Sequence, residues 1–327
     1  MGNKAMIVII GIILLISFHV TTFAEELENQ TAEQWFGLGS KQHRNSELDA
    51  ALKSYTNAIT LKDDYKEAYY YRAHIYSQQK QFDLAIADFS RVIKLNQNNA
   101  IVFYLRGLCY SEKASREQRM GFYRDAITDF NKAIEINPDN PDFYYSRALD
   151  YLWLGQYTLA LGDNTKYILL KPTDVRGYYN RALCYGSLKK DDLALADYAK
   201  AAELDPRDIK IYYNRGLYYF NKGNYDLSIK DYSKVIELDP NISEAYYNRG
   251  LTYFVKKNYD YAINDFDKAI QLNHIKSYLG KALAYEKIHR YKEAAEACEY
   301  YLEHSSPYDV SVRMQAEDLL ERVKSRT

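Results

Sequence analysis

The chain has 327 residues, long for a single compact core, and its 43 basic and 44 acidic residues leave a formal net charge of −1. That balance excludes the basic footprint of a nucleic-acid-binding surface. Three cysteines, six scattered histidines, and no phosphate-cradling glycine loop, nucleophile elbow or His-Glu-x-x-His give no parts for catalysis, so no enzyme, cofactor, metal or small-molecule substrate is expected.

The N-terminus differs in kind from the rest of the chain. Lys4 precedes an apolar run from Ala5 to Phe18, and Thr22-Phe23-Ala24 offers small residues where a signal peptidase reads. The run is short for a membrane span of about 20 residues. Residues 1–24 therefore read as a cleaved signal, with export to a periplasm or the exterior. A retained anchor is the alternative, and only then is membrane contact expected. A short lead, 25–31, comes next.

Beyond the lead the chain keeps a ruler. Pro138, Pro172, Pro206 and Pro240 are each 34 residues apart, as are Tyr144, Tyr178, Tyr212 and Tyr246. In the stretch 209–242, Tyr212, Arg215, Gly216 and Tyr219 mark one helical face. Gly223-Asn224 breaks that helix, and Leu227, Ser228, Tyr232, Val235 and Leu238 mark a second. Asp239-Pro240 stops it, because the residue before proline is pushed out of the α region. One unit is thus helix, turn, helix, with a small residue such as Gly216 where the helices approach.

This pattern resembles the tetratricopeptide repeat. Eight units are read at 32–65, 66–99, 100–140, 141–174, 175–208, 209–242, 243–274 and 275–306. The resemblance implies an all-α, right-handed superhelical solenoid that holds other proteins. Some units depart from the pattern. Gln42 and Leu48 replace aromatics in the first, Asn164 and Tyr167 stand in the second helix of the fourth, and Cys298 and Tyr301 in that of the last.

Two charged columns run through the units. Arg72, Arg106, Arg147, Arg181, Arg215 and Arg249 fill one, and Asp88, Asp129, Asp163, Asp197, Asp231 and Asp265 fill the other. In the first unit both charges vanish together, to Leu38 and Ser54. Joint loss favours structural ion pairs within each unit over a basic stripe for an anionic ligand. Lys281 opposite Ala297 in the last unit does not fit this rule.

In the family resembled, first helices line a concave groove. The resemblance places Tyr70, Tyr104, Tyr145, Tyr179, Tyr213 and Tyr247 there, with Leu108, Leu149, Leu183, Leu217 and Leu251 four residues on. Asn180, Asn214 and Asn248 stand beside the tyrosines and could bond a peptide backbone. The series resembles the asparagine ladder of O-linked N-acetylglucosamine transferases, but no catalytic domain follows it. Tyr-Tyr-Asn-Arg is also simply the local consensus of the unit, so both readings stay open. A chaperone-type carboxylate clamp is disfavoured, since Lys210 and Asn214 do not complete its set.

Between Tyr110 and Tyr123 lie seven residues more than between Tyr219 and Tyr225, around Ser115 to Gly121, polar enough to lengthen both flanking helices. Residues 307–327 read as a capping helix, with Ser306 as N-cap, Pro307 in the first turn, Asp309 as capping-box acid and an apolar edge of Leu319, Leu320 and Val323. The expected function is an exported scaffold that grips an extended segment of a partner protein. The alternative is a structural subunit of a cell-envelope complex, bound through its outer face or edge.

Overall fold

The computed structural model describes residues 30–326, so the expected signal segment 1–24 lies outside the described residues. Every regular element within them is an α-helix, as the repeat pattern predicts. The helices form two compact bodies that divide after Leu170. The first holds α1 (Ala32–Arg44), α2 (Leu48–Leu61), α3 (Lys66–Gln78), α4 (Phe82–Leu95), α5 (Ala100–Glu117), α6 (Met120–Ile136), α7 (Pro141–Trp153) and α8 (Tyr157–Leu170). The second holds α9 (Val175–Ser187), α10 (Asp191–Leu204), α11 (Ile209–Asn221), α12 (Tyr225–Leu238), α13 (Ser243–Val255), α14 (Tyr259–Gln271), α15 (Ser277–Lys287), α16 (Tyr291–His304) and α17 (Val310–Lys324).

Within each body the helices pair as hairpins, and each second helix packs on the first helix of the next unit. The core is a column of rings on the second helices: Tyr55, Phe89 and Phe130 in the first body, Tyr198, Tyr232 and Phe266 in the second, all buried. A small residue faces each ring. A Cβ on Gly107 would lie 2.6 Å from the Phe130 ring, so that approach needs glycine. The fourth and last units lack the ring, having Asn164 and Cys298 in that column. Each supplies it one turn later, as fully buried Tyr167 and Tyr301, where other units carry alanine or valine.

The proline and tyrosine periodicities are one device. The hydroxyls of Tyr144, Tyr178 and Tyr212 donate to the carbonyls of Pro138, Pro172 and Pro206, at 3.0, 3.1 and 3.3 Å. Asn140, Asp174 and Asp208 then cap the next helix by accepting a backbone N–H.

The two charged columns meet as bidentate pairs. Arg72–Asp88 is 2.8 Å, Arg147–Asp163 2.6 Å, and Arg181–Asp197, Arg215–Asp231 and Arg249–Asp265 are each 2.7 Å. The hydrogen bond to Asp231 holds the Arg215 guanidinium above its ordinary value, against the cost of burial. Several arginines also reach back to the preceding unit. Arg72 donates to Thr56, Arg106 to Ser90, Arg147 to Asn131 and Arg249 to Ser233. Asp267 stands one repeat after Ser233 and pairs with Lys281 at 2.6 Å, so in the last unit the acid has moved to the preceding helix. In the first unit Ser54 Oγ donates to Gln42 at 2.7 Å, so the two departures there answer each other.

The inserted residues lengthen α5 to 18 residues and α6 to 17, against 13 or 14 in most other helices. Gln118 makes the turn in the left-handed region at φ 54°. The final helix begins later than the sequence suggests. Ser306 Oγ accepts the Tyr308 N–H at 3.3 Å and closes a turn, so helix starts only at Val310, and Asp309 before it makes no side-chain capping bond. Ala316, Leu319 and Val323 bury its apolar edge in a cluster with Cys298 and Tyr301, and Arg322 pairs with Glu286 at 2.6 Å.

Candidate functional site

The expected groove residues fall into three kinds. The tyrosines are half-buried, each leaning on a core ring of its own unit: Tyr145 on Tyr167 at 5.2 Å, Tyr179 on Tyr198 at 6.3 Å, Tyr213 on Tyr232 at 5.8 Å and Tyr247 on Phe266 at 6.0 Å. Burial pushes the Tyr179 and Tyr247 hydroxyls up from their ordinary value. The leucines are more open: Leu217 is exposed, and Leu183 and Leu251 are half-buried.

The asparagines correct the expectation most. Asn180 is buried and presents no amide to the surface. Asn214 spends its Nδ2 donors on the Tyr179 hydroxyl, 3.0 Å away, and on the Lys210 carbonyl at 2.8 Å. Asn248 Nδ2 donates to the Tyr213 hydroxyl at 2.9 Å. Asn214 and Asn248 thus each staple their first helix to the preceding one. In the first body Ser146 takes the same register position and lies 3.3 Å from the Tyr104 hydroxyl.

Two clefts open between successive first helices, one in each body. The first, of about 370 Å³, lies between α5 and α7 and is floored by Leu108 and Leu149. Ser111, Glu112, Ser115, Tyr123, Asp150 and Trp153 make its walls. The second, of about 420 Å³, lies between α9 and α11 and is floored by Leu183 and Leu217, with Asn214 at its side. Tyr218, Asn221, Lys189 and Lys222 complete it. Both use the same repeat positions: Asp150 corresponds to Tyr218, Trp153 to Asn221 and Ser111 to Gly186.

Chemistry differs at those positions. Ser111 Oγ donates to Asp150 Oδ2 at 2.7 Å. At the equivalent place in the second cleft, Gly186 leaves room for the Tyr218 ring, which a Cβ there would approach to 3.1 Å. The Tyr218 hydroxyl reaches over to the Asp191 carboxylate, which Lys222 neutralises at 2.6 Å. Burial, with Asp191 added, pushes that hydroxyl well up. In the first cleft burial pushes Asp150 up to about 7, opposed only by the Ser111 hydrogen bond.

Sequence reasoning passed over Asp150, Glu112 and Trp153. A signal was available, since the Asp150 column otherwise carries Ile75, Cys109, Cys184, Tyr218, Thr252 and Ala284 from the second unit on. His74 is half-buried and edge-on to Tyr70 at 4.6 Å, and burial lowers its pKa. His43 sits against Tyr55 and Tyr71. The three cysteines are buried and form no disulfide, and burial pushes the Cys298 thiol up to about 12. Among the described residues no group of three or more His, Cys, Asp or Glu could hold a metal, and no helix is long and apolar enough to cross a membrane.

Comparison with known proteins agrees on the repeat. The tetratricopeptide repeat model matches residues 67–99, 175–208, 209–242 and 243–274, and a second TPR repeat model matches 119–155, together just over half of the chain. None of the curated proteins matches. Among solved structures, the chain is similar to YrrB, described as a TPR protein with an unusual peptide-binding site. The identity is 25%, covering 58% of this chain and 95% of that one, with a TM-score of 0.50. It is also similar to the C-terminal part of a TPR repeat-containing protein from Cytophaga hutchinsonii, at 18% identity, 77% and 99% coverage and a TM-score of 0.64. A tetratricopeptide repeat protein from Parabacteroides merdae matches at 20% identity, 77% and 98% coverage and a TM-score of 0.56. The chain belongs to the tetratricopeptide repeat family.

Proposed function

We propose that the chain is an exported protein-interaction scaffold that holds an extended segment of a partner protein on its first-helix face. The observation that carries the reading is the pair of leucine-floored clefts between successive first helices, in the same repeat register. Open leucines bury apolar side chains of a ligand, and half-buried tyrosines add rigid contact area at small entropic cost. The peptide-binding site named for YrrB supports the same use of the fold. Export rests on Lys4, the Ala5–Phe18 run and Thr22-Phe23-Ala24.

A second reading has its own observation. Leu193 (48% exposed), Leu227 (44%) and Tyr261 (63%) recur at one repeat position near the start of their second helices. Such a row suits an assembly subunit of an envelope complex that docks through its edge. Partner capture by the full chain separates the two. Leu149→Ser with Leu217→Ser removes the partner if the first-helix face holds it, and Leu193→Ser with Leu227→Ser does not. The reverse pattern moves the site to the edge.

A further inference from the structure

The first cleft has a feature the repeat does not need. Asp150 is only 3% exposed and accepts one side-chain hydrogen bond, from Ser111, and no cation among the described residues pairs with it. A buried carboxylate without a counter-charge destabilises the fold, and every other buried aspartate among the described residues has an arginine on it. The walls around it suit a cation. Trp153 lies parallel to Tyr123, 6° between planes and 6.3 Å between centroids, and is itself 65% exposed. Glu112 adds a second acid on the rim, and Leu108 and Leu149 line the floor. The second cleft has Tyr218 and Asn221 at the positions of Asp150 and Trp153, and its one nearby acid is already paired with Lys222.

We propose that the cleft between α5 and α7 takes one basic side chain, lysine or arginine, of the extended partner segment, with Asp150 as its counter-ion and Trp153 as its π-face. The proposal rests on the peptide-holding reading above and names the chemistry of one subsite. The aliphatic stem lies on Leu108 and Leu149 while the charged head reaches Asp150. The head supplies the charge that Asp150 lacks, and the indole face attracts it further. The inserted residues take part, because the longer α5 carries Ser115 onto the cleft wall.

The test is a displayed library of random 12-residue peptides, selected on the full chain and on its Asp150→Asn variant. Asparagine keeps an acceptor for Ser111, and circular dichroism checks the fold. On the native chain, selected peptides share a lysine or arginine at one position, and norleucine there weakens binding at least about 30-fold. With Asp150→Asn the lysine peptide exceeds the norleucine peptide only by the roughly 2- to 5-fold preference that the Trp153 face supplies. Trp153→Ala, at an exposed position, weakens the lysine peptide roughly 2- to 5-fold. Peptides without a basic preference, or a preference that Asp150→Asn leaves undiminished, overturn the proposal and leave the peptide-holding reading standing. Selection of no peptide overturns both.

Discussion

The clefts between α5 and α7 and between α9 and α11 occupy the same repeat positions and contain different chemistry. Around each, the scaffold has the same parts, buried rings and an Arg–Asp pair, with the fourth unit's ring set one turn later. Inside, Ser111 with Asp150 replaces Gly186 with Tyr218. Each exchange is coupled, since a glycine makes room for a ring and a serine hydroxyl serves a short acid. The periodic residues therefore build the unit, and specificity sits at the positions that break the period.

The largest expected effect shows the scaffold to be shared. Asp163→Ala and Asp231→Ala each strand a buried guanidinium and should cost about 3 to 5 kcal/mol in urea unfolding. A marked inequality between them would break the comparison. The next effect is confined to the first cleft. Asp150 sits at about 7 in the fold against an ordinary 3.8. The stability tied to that rise is full below the lower value and is lost as pH climbs to the upper. Ser111, Glu112 and Tyr123 share its cleft, and none of them is a cation that would relieve it. Asp150→Asn should accordingly stabilise the chain at pH 8, by at most about 4 kcal/mol, and leave it unchanged at pH 4. Tyr218→Phe should add no such dependence between pH 5 and 8. Thermal melts across that range decide it.

The exchange itself can be transplanted. Asp150→Tyr with Ser111 in place should cost about 1 to 3 kcal/mol through overpacking, and Ser111→Gly in the same chain should recover part of that. Gly186→Ala should cost about 1 kcal/mol for the same reason. Failure of the double change to recover anything would mean that the two clefts differ beyond these pairs. The smallest effect is at the rims, where Trp153→Ala and Asn221→Ala should change unfolding stability by about 1 kcal/mol or less.

Much of this was legible in the sequence because a repeat averages over its copies. The proline ruler, the aromatic columns and the Arg and Asp columns all correspond to contacts seen in the fold. What stayed hidden depended on contacts between units, which no single unit displays. Lys281 looked unpaired until Asp267 proved to be its partner on the preceding helix. Asn214 looked free to bind a ligand, but its donors are held by Tyr179 and Lys210. Asp150 was missed because attention to the period passes over the residue that departs from it. Ser306 misled for a local reason: its hydroxyl closes a turn and does not cap a helix.

The central claim is that the first-helix face holds a partner segment, with a basic side chain in the first cleft. A photo-cross-linking amino acid placed at Trp153, at Leu217 and at exposed Leu169 on α8 tests it in the chain's own cell extract. The prediction is partner segments captured from positions 153 and 217 and none from 169, with a lysine or arginine within a residue or two of the site joined to 153. Capture from position 169 alone, or a segment at 153 with no basic residue near it, would contradict the account.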